Sequence, residues 1–114
     1  MSEVPFERLM RLVTTAGLPG VTESTSYGKP SLKVADKQFA GWKDATTLPL
    51  RIPMGQKLLL LEVAPEIYFE TDHYKGSQWL LIWLDVISDE ELSQRLIDAW
   101  KFRAPKKLAA LLGG

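Results

Sequence analysis

Residues 69–84 read FETDHYKGSQWLLIWL. From Trp79 to Leu84 the run is continuously apolar and β-prone, the pattern of a strand near the middle of a sheet. Ahead of it Gly76 permits a turn. Asp72, His73, Tyr74 and Lys75 set a carboxylate, the chain's only imidazole, a phenol and an ammonium beside that turn. Such a set suits a polar site on the rim of a sheet.

Upstream, Ile67 to Glu70 reads as a short strand, and Pro65 stops a helix that Pro53 opens and Val63 closes. Leu58, Leu59, Leu60 and Leu61 make that helix apolar on every side, so it is expected to be largely buried. Thr46 to Ile52 reads as a strand, and Pro49 within it points to an edge position or a bulge. Ser31 to Val34 and Gln38 to Trp42 flank Ala35-Asp36-Lys37, a hairpin turn. Ser24 to Tyr27 is a short polar strand broken by Gly28-Lys29-Pro30. The first helix starts at Pro5, carries Phe6, Leu9, Met10 and Val13 at helical spacing, and ends at Gly17.

Downstream, Ser88 and Glu91 have the spacing of a capping box. The helix behind them sets Leu92, Leu96, Ile97 and Trp100 on one face, and Pro105 ends it. Lys106 to Leu112 adds a further amphipathic turn or two. Strands come in runs rather than alternating with helices. The expected fold is therefore α+β: a mainly antiparallel sheet with helices packed on one face, in a single domain over residues 1–114.

Composition narrows the function. The chain has 114 residues, 46% hydrophobic and 25% charged, as in ordinary globular proteins. There is no cysteine, which rules out thiolate chemistry and disulfides. No secretory signal pattern follows Met1, and the apolar run Leu58 to Leu61 is far short of the ~20 residues that span a bilayer. A cytoplasmic protein with no membrane partner is expected. Fourteen basic residues balance fourteen acidic ones, so overall charge offers no drive toward nucleic acid.

Three stretches share one further property. LPGVTESTSYGKPSLKVADKQFAGW (18–42), ETDHYKGSQWLLIWL (70–84) and AWKFRAPKKL (99–108), in this order and spacing, resemble the MmcQ/YjbR-like family of small bacterial proteins. The resemblance runs from about Phe6 to Leu112. It implies a compact α+β fold similar to the bacterial frataxin fold, and DNA binding through a double-wing arrangement of hairpins. It brings no catalytic residues and no cofactor. A frataxin-like iron role would need a dense acidic ridge. The first helix offers Glu3 and Glu7, opposed by Arg8 and Arg11.

Two sets of candidate residues follow. The first is a ligand site of Tyr27, Lys29, Asp72, His73, Tyr74 and Lys75, in two segments that would have to meet at one sheet edge. Histidine is a residue type suited to general acid or base work, but no nucleophile or metal-ligand set accompanies His73. Its plainer reading, a loop histidine bonded to backbone, is preferred. Likewise Tyr27 to Pro30 reads first as a corner between strands. The second set, for DNA, is Lys37, Trp42, Lys43, Arg51, Lys106 and Lys107. Trp42 is the best candidate for an exposed aromatic. Trp79 and Trp83 share a strand face and could stack bases, although core packing is commoner. Lys106 and Lys107 also read as an ordinary cationic helix end.

The expected function is a non-enzymatic binding module, with DNA as partner by resemblance. The alternatives are a small-molecule or anion-binding protein with a polar rim around His73, and a protein-interaction domain.

Overall fold

The structure, a computed structural model, describes residues 5–26, 28–44 and 46–112. Six strands form one sheet in the order β1-β2-β3-β4-β6-β5. They are β1 (Val21–Ser26), β2 (Lys29–Val34), β3 (Lys37–Ala40), β4 (Thr47–Arg51), β5 (Tyr68–Phe69) and β6 (Trp79–Trp83). Every pairing is antiparallel. The helices are α1 (Pro5–Ala16), α2 (Met54–Val63), α3 (Asp89–Arg103) and the short α4 (Lys106–Ala109), which runs into a 3-10 turn at Ala110–Leu112. The α+β class with an antiparallel sheet matches the expectation from the sequence.

Strand alternation sorts the two faces. Leu48, Leu50 and Ile52 of the β4 segment, and Leu80 and Ile82 of β6, join the core with Leu9, Leu12 and Val13 of α1 and Leu92, Leu96, Ala99 and Trp100 of α3. Pro49, Arg51, Trp79, Leu81 and Trp83 then take the opposite face. Helix α3 lies across β3 and β4, and α1 lies beside α3. The Trp100 indole donates to Pro19 O at 2.9 Å, anchoring α3 to the loop after α1.

Three expectations are corrected. Pro49 sits in an interior strand, paired through Leu81 to β6, with β3 on the other side. Its carbonyl accepts from Gly41 N at 2.9 Å. In an antiparallel ladder the N and C=O of one residue point the same way, so its missing N–H faces β3 where regular pairing stops at Ala40. The proline therefore costs little. Second, α2 is not largely buried. Leu58 and Leu59 are each 56% exposed and Val63 63%, while Leu60 and, unexpectedly, Lys57 face inward. Third, the capping box is not reciprocal. The Ser88 hydroxyl accepts from Glu91 N at 3.1 Å, but the Glu91 carboxylate accepts from the Tyr68 hydroxyl instead. Burial first, then this bond, raises the Tyr68 pKa.

The turn between β2 and β3 holds Ala35 and Asp36 at φ of 50° and 65°. Two left-handed residues are the signature of the two-residue hairpin turn whose twist matches its strands.

Arg8 ties α1 to the β6–α3 connection. Its Nη1 donates to Leu84 O at 2.7 Å, its Nη2 to Ile87 O at 2.8 Å, and its Nε to Asp89 Oδ1 at 2.6 Å. Arg11 Nη2 donates to the second oxygen of Asp89 at 2.8 Å. These bonds, Arg11's first and then Arg8's, hold the Asp89 carboxyl below the usual carboxylate value. A depressed folded-state pKa gives stability that is present above the unfolded value and lost as pH falls through the folded one. The melting-temperature gap between wild type and Asp89→Asn should thus be steady from neutral pH to about pH 5 and close below the ordinary aspartate pKa of ~3.9. Thermal unfolding across that range checks it, and a gap that widens in acid would contradict the assignment.

Candidate functional site

The side of the sheet away from α1 and α3 is partly roofed by residues 71–78. Between roof and sheet lies a cavity of about 400 Å³. Its lining comes from β2 (Lys29, Pro30), β3 (Gln38), the segment after β3 (Gly41, Trp42, Lys43), β4 (Pro49), β6 (Trp79) and the roof (Tyr74). Gly41 is required by close approach: a Cβ there would lie 3.2 Å from Gln38 Nε2 and 3.6 Å from Pro49 Cβ.

The roof is fixed from beneath by Lys57. This side chain is fully buried. Its ammonium donates to Tyr74 O at 3.0 Å and Ser77 O at 2.7 Å, and pairs with Glu70 Oε1 at 2.8 Å. Three donors meet three oxygens, so the charge is fully satisfied. The Ser77 hydroxyl also donates to Tyr74 O at 2.7 Å, and Ile52 N donates to Gln78 O at 3.0 Å. The backbone of Tyr74 is thereby held while its ring faces the cavity.

The cavity is basic and aromatic. Lys29 Nζ donates to Lys43 O at 2.9 Å, and Lys43 Nζ lies 5.8 Å from the centre of the Tyr74 ring. Neither lysine meets a carboxylate among the described residues, and no acidic residue lines the cavity. On the near side Asp44 accepts from Thr46 N, Thr46 Oγ1 and Thr47 N at 2.8–2.9 Å. These bonds, led by the Thr46 N–H, lower its pKa and fix the entry to β4.

The structure divides the residues singled out from sequence. Lys29 and Tyr74 meet at the cavity. Tyr27 lies outside the described residues. Asp72, His73 and Lys75 are exposed and do not line this cavity. The His73 ring stands edge-on to Tyr74, with centroids 4.9 Å apart. Of the DNA set, Lys37, Lys106 and Lys107 are exposed, and Lys43 and Arg51 are half-buried. Trp42 is half-buried too, edge-on to Phe6 at 6.0 Å, which corrects its expected exposure. Trp83 stacks on Phe69 at 4.1 Å. Among the described residues no His, Asp and Glu side chains gather into a metal-ligand set. No helix among them is long and apolar enough to cross a membrane.

Sequence reasoning missed Lys57, Gln38, Gly41 and Pro49. A signal existed for Lys57: it precedes Leu60 and Leu61 by three and four residues, so it shares their inward face.

A six-stranded antiparallel sheet, helices on one face and a basic aromatic cavity on the other, defines a small α+β protein with a site on its sheet. More particularly, the chain belongs to the YjbR family, whose model matches residues 16–102. It is similar to uncharacterized proteins of Mycobacterium tuberculosis (Rv2570) and Mycobacterium bovis (Mb2600), 35% identical over 54 residues, which is 47% of this chain and 42% of theirs. The matched part therefore spans less than half of those relatives. The Deinococcus radiodurans protein DR2400, with a DUF419 domain, shares the fold at a TM-score of 0.68, with 19% identity over 92% of this chain and 87% of that one.

Removing the Lys57 charge should unfasten the roof. Losing one partner of a buried ion pair typically costs 3–5 kcal/mol, and Lys57→Met should destabilise by about 3 kcal/mol because Glu70 keeps some solvent. Urea unfolding measures this, and a change below ~0.5 kcal/mol, the size of ordinary surface substitutions, would remove Lys57 from its assigned role.

Proposed function

We propose that this protein binds a small planar molecule bearing a negative group, in the cavity under Tyr74. The observation that carries this reading is the lining itself: three aromatic rings, two prolines and two lysines, with no carboxylate. Flat apolar walls favour a ring, and Tyr74 and Trp79 offer faces or edges to it. Lys29 and Lys43 supply positive charge that no ion pair among the described residues cancels. The volume of about 400 Å³ falls within the ~300–1,000 Å³ range of small-molecule sites. We read the site as a binding site; among the described residues no nucleophile paired with a base lines the cavity.

The family resemblance carries a DNA reading as well. Two of its six residues, Lys43 and Arg51, are half-buried and lie over the rings of Tyr74 and Trp79. Net charge is zero, so counterion release gives duplex binding little general drive. The small ligand is therefore placed first.

A thermal-shift screen of aromatic carboxylates and aryl phosphates tests this. At least one should raise the melting temperature. Lys43→Gln should weaken that compound by roughly tenfold, the worth of one charge-assisted bond, while His73→Ala leaves it unchanged. If His73→Ala abolishes the shift, the exposed rim is the site and not the cavity. If no compound shifts the melting temperature, yet duplex DNA binds with steep salt dependence lost in Lys106→Gln and Lys107→Gln, the DNA reading displaces this one.

A further inference from the structure

Among the residues that line the cavity, Gln38 alone carries a side-chain amide. It stands on β3 opposite Lys33 of β2. The next residue, Phe39, is part of the core beneath the helices, so Gln38 takes the cavity face of the sheet. Its Nε2 lies 3.2 Å from the place where a Cβ on Gly41 would stand. The missing side chain of Gly41 thus gives the amide its room, on a floor that Gly41 shares with Pro49.

That amide has no partner. The chain's other glutamines are engaged: Gln56 and Gln94 donate to Asp98 at 2.7 and 3.0 Å, and Gln78 accepts from Arg51 at 3.4 Å. Gln38 makes no side-chain hydrogen bond among the described residues. It is half-buried, and its oxygen and nitrogen are not among the unpartnered polar atoms sealed from solvent. Donor and acceptor are therefore both open to a ligand.

Ammonium and indole groups only donate, whereas a carboxamide donates and accepts in one plane, and a half-turn of the amide keeps both functions. Of the lining side chains, only Gln38 and the Tyr74 hydroxyl can accept an N–H from a ligand. A plain arene laid on this floor would cover the Gln38 amide without pairing it, and covering a polar group unpaired costs more than its bond contributes when made. A ring with an N–H beside a C=O satisfies both ends of the amide at once.

We propose that the ligand is a nitrogen heterocycle containing a ring amide and bearing the anionic group, and that Gln38 selects it by pairing with the N–H and C=O of that amide. This inference rests on the cavity reading: the lysines take the anion, and Gln38 reads the ring.

Two monoanions of equal ring size provide the test. Benzoate has a bare ring, and orotate is a pyrimidinedione carboxylate with ring amides. Each is titrated into the full chain at neutral pH, and dissociation constants are read from the Trp79 indole N–H resonance by proton–nitrogen NMR. Orotate should bind roughly tenfold or more tightly than benzoate, the contribution of one or two hydrogen bonds. Gln38→Met, which keeps the chain length and removes the amide, should bring that ratio close to one. N,N′-dimethylorotate, which has no N–H to give, should lose the advantage on the wild-type protein. Should Gln38→Met fail to fold, the dimethyl compound still decides the matter. Equal affinities for orotate and benzoate, a ratio that survives in Gln38→Met, or dimethylorotate binding as tightly as orotate would each overturn the inference and leave the cavity reading standing. If neither anion gives a saturable shift at Trp79, the cavity reading itself fails and the inference falls with it.

Discussion

The ammonium of Lys57 is the point on which the candidate site rests. It is fully buried and pairs with three oxygens, from Glu70, Tyr74 and Ser77. Burying a charge is expensive unless its bonds are all made, and here they are. The consequence is positional. A polar eight-residue loop would otherwise be held only at its ends. With Lys57 beneath it, the loop presents the Tyr74 ring to the sheet and a cavity exists. The stretch that looks most like a functional site in the sequence is thus the roof of the candidate cavity, and its most prominent residue, His73, is exposed and does not line it.

The same loop shows what the sequence could and could not disclose. Strand runs, hairpin turns and helix stops were legible because local patterns cause them. Trp79 to Trp83 is apolar and became an interior strand, and Pro5 and Ser88 mark helix starts. Pro49 misled, because whether a proline tolerates an interior strand depends on where the neighbouring strand ends, and that is a tertiary fact. The leucines of α2 misled for a related reason. Apolar residues around a helix suggest burial, yet only the Lys57 and Leu60 side meets the protein, leaving Leu58, Leu59 and Val63 in solvent.

The site was legible only in part. Lys29 and Tyr74 were singled out as polar or aromatic residues beside turns, and the fold brings them to one cavity. Gln38, Gly41 and Pro49 carry no chemical signature of a site, and only the packing of β3 against β4 makes them a floor. In the sequence Arg51 is one of several basic residues, and its place over the Trp79 ring follows only from the pairing of β4 with β6.

The most direct measurement is crystallographic. Crystals of the protein soaked with a mixture of aromatic carboxylates should show one compound beneath Tyr74, its ring along Trp79 and its carboxylate directed to Lys29 and Lys43. Compounds bound only at other surfaces, with the cavity holding water alone, would contradict the account.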